Sequence, residues 1–159
     1  MNTQDILAGN RVIITHFDSY STALLFPRWN NNTLLWPEAL PASAAPMPAP
    51  ATIDPEHVAN TVRLAVVERC GLNPEELTHV GEFNHWAQTD AGPVRIHLLR
   101  FTTLDAPKEA IEALGGVFKP MSQLRGSAMS ELVLLREVFN LIVGAGGGEP
   151  EAVVTCEGV

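Results

Sequence analysis

The sequence predicts a mixed α+β domain whose sheet lies between helices. Three observations predict it. Asp54 to Gly71 reads as one helix with a start and a stop. Runs rich in β-branched and apolar residues flank it, Arg11 to Phe17 on one side and Leu77 to Gln88 and Pro93 to Leu104 on the other. A second amphipathic helix follows, from Ala128 to Val143.

In chain order, Arg11 to Phe17 is a strand, Asp18-Ser19 a turn and Tyr20 to Phe26 a second strand. Trp29-Asn30-Asn31-Asn32 is a turn cluster, because Asn tolerates left-handed backbone. Thr33 to Trp36 then returns as a short third strand. Residues 37–51 form a loop rich in proline and alanine, with Pro41, Pro46, Pro48 and Pro50. Proline lacks an amide donor, so a regular helix or central strand is excluded. The expectation is an extended, mobile connector.

The helix from Asp54 to Gly71 has Asp54 as its N-cap candidate and Pro55 at the first helical position. Val58, Val62, Ala65 and Val66 form an apolar stripe, and Gly71 suits the left-handed residue that ends a helix. A turn at Pro74-Glu75-Glu76 leads into two long strands joined by Thr89-Asp90-Ala91-Gly92. A hairpin centred on Ala91 sets Glu82 opposite Arg100, Trp86 opposite Ile96 and His85 opposite His97. Asp105-Ala106-Pro107 starts a helix that runs to Leu114 and stops at Gly115-Gly116. Val117 to Arg125 is loop with room for a short strand. Ser127 caps the last helix, with Leu132, Leu135, Val138, Phe139 and Ile142 on one face and Gly144 at its end. One domain over 1–143 and a flexible Gly-rich tail over 144–159 follow; Val153-Val154-Thr155 has the composition of an edge strand.

The bulk properties narrow the function classes. A chain of 159 residues is most simply one domain with a real core. A net charge of −8 opposes binding to a nucleic acid polymer. Two cysteines, Cys70 and Cys156, are too few for a disulfide framework. Met1-Asn2-Thr3-Gln4-Asp5 lacks the basic and apolar regions of a signal peptide, and no apolar run reaches the roughly 18 residues of a membrane helix. The expectation is a cytoplasmic protein without a membrane partner.

The helix ending Val66-Val67-Glu68-Arg69-Cys70-Gly71-Leu72, set in this order of elements, resembles the Nudix family. That family's box reads G-x5-E-x7-R-E-U-x-E-E-x-G-U, with U aliphatic. Glu56 fits its isolated early glutamate, Val66 the internal aliphatic, Glu68 the first of the paired glutamates, and Gly71-Leu72 the ending. Pro50 stands at the opening glycine, Leu64 at the arginine, Ala65 at the glutamate beside it and Arg69 at the second paired glutamate. A weaker likeness spans residues 11–143, with Trp36-Pro37-Glu38-Ala39-Leu40-Pro41 before the helix and Lys119 to Leu124 after it. The resemblance implies an α/β/α sandwich and Mg²⁺-dependent hydrolysis of a nucleoside diphosphate linked to another group.

The departures bear on that chemistry. Magnesium takes hard oxygen ligands in octahedral geometry. Ala65 offers none, and Arg69 puts a positive charge beside the expected cation. Two unit charges about 4 Å apart repel by about 4 kcal/mol at an effective dielectric near 20, and a divalent ion doubles this. The standard mechanism is therefore expected to be absent, with no resident metal or other cofactor.

Three readings stand. In the first, the domain binds a nucleotide or other phosphate-bearing small molecule, or a protein, and Arg69 grips phosphate bidentately. Against this, Arg69 is an ordinary solvated cation at a helix end. In the second, a diverged hydrolase works through Glu68 and Glu56 as catalytic carboxylates and takes Mg²⁺ with help from Glu75 or Glu76; against this, these acids form a solvated turn. In the third, the domain is structural and forms a homodimer through the last helix or the Trp86 hairpin.

Other chemistry-bearing residues add little. His79, His85 and His97 lack a dense ligand motif, so satisfied histidines are expected rather than a zinc or proton-transfer site. Cys70 lies at the wrong helix end for thiolate stabilisation and is expected as a small hydrophobe. Gly144 to Gly148 follows a helix and lacks the Lys and Ser/Thr of a phosphate loop. No G-x-S-x-G is present.

Overall fold

In a computed structural model, residues 3–30, 33–124 and 129–144 are described. The expected Ser127 cap and the tail from Ala145, with its edge strand, lie outside them. The elements are α1 (Thr3–Ala8), β1 (Asn10–Asp18), β2 (Ala23–Trp29), β3 (Ala45–Met47), α2 (Ala59–Cys70), β4 (Leu77–His79), β5 (His85–Thr89), β6 (Gly92–Phe101), α3 (Lys108–Glu112), β7 (Gly116–Pro120) and α4 (Met129–Phe139). The strands make one open sheet in the order β3-β5-β6-β1-β2-β7, with β4 beside the far half of β6. The β1–β6 pair is parallel and the others are antiparallel, so the domain is mixed α+β with a mixed sheet.

Alternation along the central strands splits the core into two layers. Val12, Ile14, Leu99 and Phe101 pack with Val62, Ala65 and Val66 of α2, Ile6 and Leu7 of α1, and Ile111 of α3. Ile13, Ile96 and Leu98 pack on the other face against Leu134, Leu135 and Val138 of α4. The sheet thus has helices on both faces. No helix among the described residues is long and apolar enough to cross a membrane.

Several expectations change, each for a tertiary reason. The helix does not run unbroken from Asp54. Pro55–His57 is a 3-10 turn, Val58 is extended (φ −66°, ψ 133°), and α2 begins at Ala59. In a continuous helix the Glu56 and His57 carbonyls would accept from the amides four residues on. Here the Asn10 side-chain amide takes the first at 2.9 Å and Arg95 takes the second at 2.9 Å. Asp54 makes no side-chain cap bond. The C-terminal end is as expected, with Gly71 left-handed at φ 66°.

Thr33 to Trp36 does not form a third strand of the hairpin; β7 is the antiparallel partner of β2 instead. Only Trp36 bridges back, to Val12. The segment is held by α4: buried Glu131 accepts from the Thr33 hydroxyl and, at 3.2 Å, from the Leu34 amide. We expect Glu131→Ala to lower stability by about 2 kcal/mol, because it strands a hydroxyl and an amide in the interior. Urea unfolding of Glu131→Ala beside the exposed control Glu112→Ala checks this; equal midpoints would refute it.

The Pro/Ala-rich segment is not a free connector. Ala45–Met47 adds an edge strand to β5, where a proline is tolerated. The long strand expected from Leu77 to Gln88 is two strands, interrupted over 80–84, where Phe83 drops fully into the core on the α4 side. The hairpin register is also one residue from the expected one. Thr89 pairs with Gly92 around a two-residue loop, His85 faces Ile96, and Trp86 faces Arg95. Beyond the interruption Arg100 faces Thr78, not Glu82. The last helix buries Glu131, Leu134, Leu135 and Val138, whereas Phe139 is 40% exposed.

Candidate functional site

Glu56 lies in the 3-10 turn before α2, half-exposed, while Glu68 and Arg69 lie exposed in the last turn of α2. The rise from Ala59 to Glu68 alone is about 14 Å at about 1.5 Å per residue, so the two carboxylates sit at opposite ends of the helix. Glu68 accepts a 2.7 Å bond from Thr3 of α1. Ala65 points into the core. Cys70 is mostly buried, and burial raises its thiol to about 12, so it is an inert small hydrophobe.

What the structure does assemble is a polar layer between the sheet and the turn that precedes α2. Asn10, fully buried at the start of β1, is its hub. Its amide nitrogen donates to the Ile6 carbonyl at 2.7 Å and the Glu56 carbonyl at 2.9 Å. Carbonyls only accept, so these bonds fix which end of the side chain is the amide. Its oxygen therefore accepts from His97 Nε2 at 2.8 Å and from His57 Nδ1 at 3.3 Å.

The tautomers follow. His97 carries its proton on Nε2, which leaves Nδ1 to accept from His79 Nε2 at 3.2 Å. Burial, then the positive Arg95, then His79 and His57 push His97 down to about 2, so it is a neutral imidazole. His79 is lowered by burial first and Arg95 second. His79, His97, Asn10 and His57 thus form one hydrogen-bonded chain from a half-exposed histidine to a buried one, in which both His97 and His57 donate to the Asn10 oxygen. His57 also packs edge-on against Trp86, with centroids 5.0 Å apart, and Arg95 lies over the same indole at 5.7 Å. Next to His57 stand Asp54 and Glu56; the ligand atoms of the three all lie within 4.8 Å of one another.

The other face of the sheet carries a cavity of about 740 Å³. Its wall on the sheet is Ile96 with His85, its opposite wall is α4 through Glu131 and Leu134, and the Pro/Ala-rich segment covers it through Leu40 and Pro46. No lysine or arginine is among the described lining residues. Glu137 of α4 bonds His85 at 2.5 Å.

Sequence reasoning named His79, His85 and His97 but grouped them wrongly. The expected register set His85 beside His97; the actual one sends His85 to the α4 face and leaves His79 with His97. Asn10 was missed, since an asparagine before a strand has no pattern of its own. His57 was seen only as part of a helix start. No protein-family model and no curated protein sequence matches this chain.

Proposed function

We propose that the chain is a Nudix-like domain that serves as a small-molecule binder and not as a Mg²⁺ hydrolase of the standard kind. The cavity between β5–β6, α4 and the Pro/Ala-rich segment carries this reading. Its size suits a drug-sized ligand, and its walls combine apolar surface with a few convergent polar groups. The family likeness rests on the order of elements and on Glu56, Val66, Glu68 and Gly71-Leu72. Ala65 inside the core and Arg69 on the last turn of α2 are what argue against box chemistry.

The lining selects the ligand's chemistry. Glu131 offers acceptor oxygens, His85 is engaged by Glu137, and no lysine or arginine among the described lining residues neutralises a phosphate there. The ligand is a largely apolar molecule whose polar end donates hydrogen bonds or carries positive charge. Proline rings in the cover lower the entropy lost on closing over it.

Titration with an anilinonaphthalene-type fluorescent probe, with amines and nucleoside diphosphates as competitors, tests this. The expected result is saturable binding at one site, displacement by apolar amines, and an affinity at least about tenfold weaker in Ala44→Phe, which fills the cavity. Displacement by nucleoside diphosphates alone, or probe binding unchanged in Ala44→Phe, would overturn it.

A further inference from the structure

We infer that Asp54, Glu56 and His57 form a site for one divalent first-row metal ion such as Zn²⁺. The ligand atoms are already gathered within 4.8 Å. Two donors about 2.1 Å from a tetrahedral ion lie about 3.4 Å apart, a spacing that rotation of the exposed Asp54 carboxylate and the half-exposed Glu56 carboxylate supplies. The gathering is built into the backbone. Pro55 and the bond from the His57 amide to the Asp54 carbonyl, 2.9 Å, close the turn. Asn10 and Arg95 hold the Glu56 and His57 carbonyls on its inner side.

The histidine is what points to a ligand rather than to a mere acidic turn. His57 is 5% exposed and its Nδ1–H is committed to the Asn10 oxygen. Nε2 then carries the ring's lone pair, and no group among the described residues donates to it. The ring is held in place by burial while this lone pair is left free to bind an ion, and a metal ion is its natural acceptor. An oxygen acceptor behind Nδ1–H also fixes ring and tautomer, as it does behind most metal-bound histidines.

Gly9 adds an independent sign. A Cβ there would come within 3.3 Å of His57 Cε1 and 4.0 Å of Glu56 Oε2, so the chain keeps clear the edge where ring and carboxylate converge. One imidazole and two carboxylates suit Zn²⁺ or Mn²⁺ better than Mg²⁺, which favours an all-oxygen, mostly hydrated shell. Cys70 lies at the far end of α2 and takes no part.

Equilibrium dialysis of chelator-treated full-length protein against Zn²⁺ tests the site, with Co²⁺ as a spectroscopic probe. The expected stoichiometry is one Zn²⁺ per chain. Asp54→Asn and Glu56→Gln, both at solvent-accessible positions where folding is safe, should each weaken binding at least about tenfold, and Glu75→Gln should not. The Co²⁺ spectrum should show no thiolate charge-transfer band. Zn²⁺ binding that persists in the doubly substituted Asp54→Asn/Glu56→Gln protein, a thiolate band, or no stoichiometric binding at all would overturn the assignment.

Discussion

Replacing Asn10 with alanine is expected to lower folding stability by about 4 kcal/mol, well above the typical loss of about 1 kcal/mol for a point substitution. The reason is how many partners one side chain serves. The Ile6 and Glu56 carbonyls lose their donor, and the His57 and His97 rings lose their acceptor. A buried polar group left without a partner costs about 1–3 kcal/mol. Water can recover part of this at the half-buried Glu56 carbonyl and little at His97, which is fully buried. Asn10→Asp should be no better, since a carboxylate cannot donate to two carbonyls and would be charged in the interior. For a domain of this size the loss corresponds to a Tm lower by roughly 8–16 °C. Calorimetry or urea unfolding reads it directly, and a loss below about 1 kcal/mol would mean that Asn10 is not the hub of the layer.

The same residue shows why the site was harder to read than the fold. Periodicity located α2 and α4, because burial of one face writes a repeat into the sequence; β-branched runs located the central strands, and cap and stop residues located α3 and the Gly71 end. None of these signals can register a contact between residues 46 positions apart, such as Asn10 with Glu56. That contact, with Arg95 on His57, breaks the expected helix at Val58. The helix α1 escaped notice because six residues carry too little pattern; it is held through Ile6 and Leu7 against α2. The hairpin register failed by one residue. A loop centre between Asp90 and Ala91 instead of on Ala91 sends alternate side chains to opposite faces. This is how His85 and His97, expected together, come to serve different sites.

Strand β6 links those sites. Ile96 faces the cavity, while its neighbours Arg95 and His97 belong to the polar layer. Residue-by-residue alternation lets one strand floor a largely apolar cavity on one face and hold a buried polar layer on the other. The proposed binding role attaches to the first face; the proposed metal site attaches to the second, against which α2 also packs. The Gly71 end and the buried stripe that hold α2 are separate from the polar side chains on either face of the sheet.

Acid is expected to weaken the chelator-treated protein by about 3 kcal/mol between pH 7.5 and 4.5, mainly through His97. The ring is held down to about 2 by burial first and by Arg95, His79 and His57 after it, against an ordinary value of 6.5. Below about 6.5 the unfolded chain takes up a proton that the folded protein refuses, so stability is full above that value and falls as pH drops towards 2. One such proton costs about 1.4 kcal/mol per pH unit. His79, also lowered by burial and Arg95, adds in the same direction. Carboxylates that titrate near the lower limit would confuse a single curve, so the comparison is with His97→Gln, whose amide can still donate to Asn10. Urea midpoints measured at half-unit steps should fall steeply in the parent and much less in the variant. Parallel curves would show that the acid sensitivity comes from elsewhere. A flat parent curve would show that the buried imidazole accepts its proton in the folded state, which the Asn10 and His79 bonds on its two nitrogens argue against.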